Sequence, residues 1–215
     1  MDAIELQTGA KPDAAVIWLH GLGADGHDFE PIVPELDLGG RAIRFVFPHA
    51  PVQAVTINNG MRMRAWYDIL QLGGGPEDEK GIRASEALLG KLVDAEKKRG
   101  IAASRIVLAG FSQGGAIALQ TALRYPEKLA GVLALSTYLP LAPKLAAEKS
   151  EANRATPIFM AHGTYDDIIP LMRAEQSRAA LAAAGYSVEW HTYPMPHSVC
   201  PPEIDDISAF LQKAL

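Results

Sequence analysis

The stretch RIVLAGFSQGGAIAL, residues 105–119, sets an apolar run directly before a serine, Ser112, with glycines at Gly110, Gly114 and Gly115. Its first half reads as a buried strand and its second as a helix rich in small residues, so Gly-x-Ser-x-Gly falls on the turn between them. A nucleophile elbow needs this context. The serine stands at the carboxyl end of a strand in a strained backbone conformation, and the glycines let strand and helix cross without Cβ clashes. The same letters also describe an inert glycine-rich turn. Choosing between the two requires partners elsewhere, because a serine hydroxyl is a weak nucleophile near neutral pH without a base and a carboxylate to orient that base.

Outward from this turn, short β-branched runs alternate with segments of helical period, the order of a parallel sheet covered on both faces. Strands are expected at 15–19, 42–47, 105–109, 129–135, 158–161 and 188–193. Helices are expected at 79–99, where Ile82, Leu88, Leu89, Leu92 and Val93 form one stripe, and at 113–125, 172–184 and 202–213. Loops take the remainder, including the glycine run 72–76 and the polar stretch 144–156. The 215 residues carry no internal repeat or linker, so residues 1–215 are expected to form a single domain, doubly wound and mostly parallel, with no large cap.

Composition narrows the function. The chain is 48% hydrophobic and 21% charged, and no window approaches the roughly 18 uninterrupted apolar residues of a membrane span. The opening MDAIELQTGAKPD lacks the basic region and hydrophobic segment of a secretory signal, which makes the cytoplasm the expected location. A formal net charge of -5 argues against a nucleic-acid partner, which would need clustered Lys and Arg. The single cysteine, Cys200, excludes an internal disulfide and leaves too few thiolates for a zinc cage. It lies outside any elbow and reads as a small apolar residue.

Of six histidines, His20, His27 and His49 precede the serine. His191 lies within a strand and His162 closes one, so both read as structural. His197, in PMPHSV between the last strand and the last helix, is left as the base. The orienting acid should come from HGTYDDIIP, residues 162–170, where Asp166 and Asp167 compete and spacing does not choose between them. Glu203, Asp205 and Asp206 read as first-turn acids of the last helix, explained by its macrodipole. An oxyanion site would take the backbone N–H of Gln113, the residue after the serine, and one from HGLGADG, with Leu22 the best candidate donor. The spacing of Asp25, His27 and Asp28 fits a turn and helix start better than a metal site. Met63, Trp66, Ile69, Leu72 and Val199 are candidates for an apolar substrate pocket, although several would serve equally as core.

Together with WLHGLGADGHDF (18–29), FPHAPVQAVTINNGMRMRAWYDI (47–69) and LSTYLP (135–140), these motifs make the chain resemble the phospholipase/carboxylesterase family of α/β-hydrolases. That family contains small bacterial carboxylesterases and acyl-protein thioesterases. The resemblance implies the α/β-hydrolase fold, Ser112 as nucleophile, His197 as base and Asp166, four residues before Pro170, as the acid. It also puts Leu22 and Gln113 on the oxyanion positions. The expected activity is a cofactor-free serine carboxylesterase acting on short- to medium-chain esters through an acyl-enzyme, as monomer or homodimer. Thioesters of acylated proteins or lysophospholipids are the alternative substrates, and a non-catalytic binding protein is the alternative of another class.

Overall fold

The computed structural model describes residues 2–71 and 74–215. Its strands are β1 (Ala3–Gln7), β2 (Ala14–Leu19), β3 (Ile43–Pro48), β4 (Val52–Val55), β5 (Met61–Arg64), β6 (Ile106–Phe111), β7 (Gly131–Leu135), β8 (Ile158–Gly163) and β9 (Val188–Tyr193). The α-helices are α1 (Glu79–Lys98), α2 (Gln113–Ala122), α3 (Leu145–Glu148), α4 (Leu171–Ala183) and α5 (Pro201–Ala214). Seven strands form one sheet in the order β1-β3-β2-β6-β7-β8-β9. Within that sheet, among the described residues, β1 alone runs antiparallel to its neighbour, and β4 and β5 form a separate antiparallel pair.

The central strands are continuous apolar runs because both faces are covered: β2 (AAVIWL) and β7 (GVLAL) are buried at every position. On one face, Ile82, Leu89 and Val93 of α1 join Ile117 and Leu119 of α2 and Leu181 of α4. On the other, Ile207, Phe210 and Leu211 of α5 pack with Phe29, Ile32 and Val33. Helix α1 begins at Asp78, whose side chain accepts the Gly81 N–H, and ends on Lys97 and Lys98, charges placed to suit its dipole. Among the described residues, no helix is long and apolar enough to cross a membrane.

Several expectations need correction. β1 and the β4–β5 hairpin were not foreseen, since both are partly exposed and mix polar with apolar residues. Helix α2 stops at Ala122, short of 125, because its last turn tightens so that Arg124 and Tyr125 both donate to the Thr121 carbonyl. The 144–156 stretch is not irregular: it holds α3 and a short 3-10 turn. Buried Asn153 ties it down by accepting from Leu129 N–H and donating to the Tyr125 and Glu127 carbonyls. Of the 72–76 run, Leu72 and Gly73 lie outside the described residues.

Glu203, in the first turn of α5, does not act as a dipole-stabilising charge. It is fully buried, and neither carboxylate oxygen meets a hydrogen-bond partner among the described residues. Burial, with a smaller contribution from Asp206, pushes its pKa up to about 8, and the nearby Cys200 N–H offsets only part of this. The carboxyl is therefore protonated at neutral pH.

Two outcomes are expected. A methyl at Gly114 would run into the Leu19 and His20 carbonyls, so Gly114→Ala should lose about 1–3 kcal/mol in urea unfolding; a loss below about 0.5 kcal/mol would contradict the close crossing. For Glu203 the folded pKa lies above the unfolded value of 4.5. The unfolded chain therefore ionises first, and stability drains away as pH rises from 4.5 toward 8. Glu203→Gln should gain stability over the parent progressively across that window. A difference that does not change with pH would show that the carboxyl does not titrate in this way.

Candidate active site

Parallel strands deliver their outgoing loops to one edge of the sheet, and the exits of β2, β6, β8 and β9 meet there. Ser112 sits on the β6 exit with φ 54° and ψ −121°, a conformation that side chains other than glycine rarely adopt. The turn is held on both sides. Ser112 N–H donates to the Leu135 carbonyl (2.9 Å), and its own carbonyl accepts from Thr137 Oγ1 (2.6 Å) and Ala116 N–H (3.1 Å). Gly110 and Gly114 lie so close that a Cβ on Gly110 would collide with the Gly114 backbone. Of the Ser112 surface, 9% stays accessible, on the side of a cavity described below.

The β8 exit presents Asp166 buried and Asp167 exposed. Asp166 Oδ1 accepts the N–H groups of Ile168 (2.9 Å) and Ile169 (2.8 Å), which leaves Oδ2 to face His197 Nδ1 at 2.6 Å. His162 supports the same loop through Nε2, 2.8 Å from the Ile169 carbonyl and 3.3 Å from Asp166 Oδ2. Burial lowers its pKa, so it is a neutral ring that donates to that carbonyl. The His197 loop is pressed against the Asp166 loop: Thr164 and Tyr165 N–H donate to the Tyr193 and Met195 carbonyls, and Gly163 has no room for a Cβ beside Met195 and Pro196. The His197 ring packs on Phe111, the neighbour of Ser112, at 4.6 Å between centroids.

Leu22 and Gln113 line the same cavity as Ser112. Gln113 is the first residue of α2, so its N–H has no carbonyl four residues back within the helix. The Leu22 N–H has no acceptor among the described residues, whereas the next N–H, of Gly23, goes to the Arg64 carbonyl (2.9 Å). The HGLG turn is braced by His20, whose Nδ1 meets the Gly21 carbonyl (2.7 Å) while Nε2 accepts from Ala50 N–H (3.1 Å). Trp66 Nε1 donates to the His20 carbonyl (2.9 Å). The Gln113 amide is a clasp: Oε1 accepts from Trp66 N–H and Nε2 donates to the Tyr67 carbonyl, both at 2.7 Å. Asp25 Oδ1 accepts the His27 N–H (2.8 Å), which makes that segment a turn.

The cavity measures about 100 Å³ and is walled by Leu22, Ile57, Ile69, Ile168 and Ile169, with Tyr67, Gln71, Tyr138 and Arg173 also on its lining. Of the expected pocket residues that the structure describes, Ile69 alone lies here. Trp66 is core, 2% exposed, because its indole is committed to bracing the HGLG turn. Met63 packs under Gly23 with its sulfur against Asn58, and Val199 packs on the opposite core face of the sheet. Leu72 lies outside the described residues. Tyr67, Tyr138 and Arg173 were missed; the signal available was the tyrosine in LSTYLP and the basic residue after IIPLM. A larger cavity, about 670 Å³, opens at the other end of β8 beside Pro157 and Gly185, away from Ser112.

The family model for phospholipase/carboxylesterase matches residues 2–215. Acyl-protein thioesterase 1 of Gibberella zeae is 42% identical, over 94% of this chain and 91% of its own. Among solved structures, Arabidopsis thaliana SOBER1 superposes with a TM-score of 0.89 at 31% identity, over 94% of this chain and 98% of its own. Acyl-protein thioesterase 2 of Zea mays gives 0.88 at 27% identity, over 99% and 98%. The chain belongs to the phospholipase/carboxylesterase family of α/β-hydrolases, enzymes that hydrolyse ester and thioester bonds.

Proposed function

We propose that the chain hydrolyses acyl thioesters, and oxyesters by the same steps, with Ser112 as nucleophile, His197 as base and Asp166 as orienting acid. The observation that carries this reading is the 2.6 Å contact of His197 Nδ1 with a buried carboxylate whose other oxygen is fully engaged by backbone N–H groups. That contact keeps the proton on Nδ1 and leaves Nε2 as the acceptor. Ser112 Oγ attacks the acyl carbonyl as Nε2 takes its proton, and the N–H groups of Leu22 and Gln113 receive the negative oxygen. The tetrahedral adduct then expels the thiol or alcohol, which leaves with the proton from His197. Water, activated by the same imidazole, releases the acid.

The relative at 42% identity is an acyl-protein thioesterase, which favours a thioester over the short- to medium-chain carboxylic ester expected from the sequence. The apolar walls of the cavity suit an acyl chain, and the leaving thiol stays outside on the His197 side.

Ser112→Ala should lower kcat by roughly 10⁴ to 10⁶ and Asp166→Asn by roughly 10⁴, by analogy with other serine triads. A fluorophosphonate should label Ser112. An unlabelled serine, or a Ser112→Ala enzyme with most of its rate, would favour the non-catalytic alternative. On matched octanoyl substrates, kcat/KM for a cysteinyl thioester should exceed that for the oxyester by roughly tenfold or more; the reverse order would return the chain to the plain carboxylesterases.

A further inference from the structure

We infer that Arg173 recognises a carboxylate at the far end of the acyl group, so that the substrates include half-thioesters or half-esters of short dicarboxylic acids. This rests on the hydrolase reading above. In that chemistry the leaving group must lie where His197 can protonate it. The cavity shared by Ser112, Leu22 and Gln113 is not lined by His197, so it receives the acyl side. Arg173 lines this same cavity of about 100 Å³, so an acyl chain attached at Ser112 enters a space that the guanidinium borders.

The chemistry at that wall is that of an anion site. The Arg173 guanidinium carbon lies over the Tyr138 ring, 3.4 Å from its centroid, a cation–π contact that holds the fork in place. Among the described residues it makes no ion pair, unlike Arg44, Arg83, Arg99, Arg105 and Arg124; its polar neighbour is the neutral Tyr138 side chain. Glu77, the acid facing the same tyrosines, gives Oε2 to the Leu141 N–H (2.9 Å) instead. Tyr67 and Tyr138 are both buried and share one hydrogen bond of 2.7 Å. Two hydroxyls in one bond leave one hydrogen over, on one of the two tyrosines that line the cavity together with Arg173. The position is not explained by its helix, since Arg173 stands in the first turn of α4, where the macrodipole disfavours a cation. A cationic fork plus a phenolic hydrogen on a cavity whose other walls are mainly leucine and isoleucine side chains matches a carboxylate tethered to an alkyl chain.

The test compares 4-nitrophenyl hexanoate with 4-nitrophenyl hydrogen adipate, which differ only in the terminal carboxylate. The adipate-to-hexanoate ratio of kcat/KM should fall about 10- to 100-fold in Arg173→Met, chiefly through KM for the adipate ester, with Arg173→Lys recovering part of it. In the unaltered enzyme, free adipate should inhibit competitively at lower concentration than hexanoate, and added salt should narrow the gap. A ratio unchanged within about twofold, or equal inhibition by the two acids, would overturn the assignment and leave Arg173 as a packing residue over Tyr138. Fluorophosphonate labelling of Ser112 in the same preparations tests the hydrolase reading separately.

Discussion

Everything at this edge of the sheet depends on one steric constraint: the crossing of β6 and α2, where Gly110 and Gly114 touch backbone to backbone. The crossing forces Ser112 to φ 54°, and the strain is held from outside by the Leu135 carbonyl and the Thr137 hydroxyl. Both of those partners sit on β7 and its exit, so the elbow is fixed by the neighbouring strand rather than by its own residues. Side chains at Gly110, Gly114 or Gly115 would push the helix away from the sheet and take the proposed nucleophile with it.

From this turn the geometry spreads through main-chain groups. The Gln113 amide grips the backbone of Trp66 and Tyr67, and Trp66 in turn braces the His20 carbonyl at the head of the turn that carries Leu22. The two proposed oxyanion donors are thereby linked through a third segment that touches neither of them in sequence. The Asp166 and His197 loops are joined in the same manner, by N–H groups of Thr164 and Tyr165 on the carbonyls of Tyr193 and Met195. Preorganisation of this kind costs nothing when the reaction occurs, because the dipoles are already in place.

The sheet was legible because its inner strands are buried on both faces and spell uninterrupted apolar runs. β1 and the β4–β5 hairpin escaped because half-exposed strands lose that signature. The residues around Ser112 could be found by their order along the chain, since a parallel sheet sends successive exits to one edge. Asp166 and Asp167 differ only in burial, which spacing does not encode. The cavity was poorly legible, being assembled from segments around residues 22, 57, 69, 113, 138 and 168–173 that meet only through strand order. Trp66 illustrates the error: a large apolar residue in the right segment, turned into the core by the bond its indole makes. Glu203 was misjudged for a related reason, because a carboxylate in a first helical turn is usually solvated, and here it is fully buried.

The Asp166 carboxylate is held by the N–H groups of Ile168 and Ile169, the same two residues whose side chains wall the cavity. A backbone donor is indifferent to the side chain it carries. Substitutions at these two positions can therefore reshape the proposed acyl site while the carboxylate keeps its partners, so that descent with modification can explore new substrates along this loop without first dismantling the proposed triad.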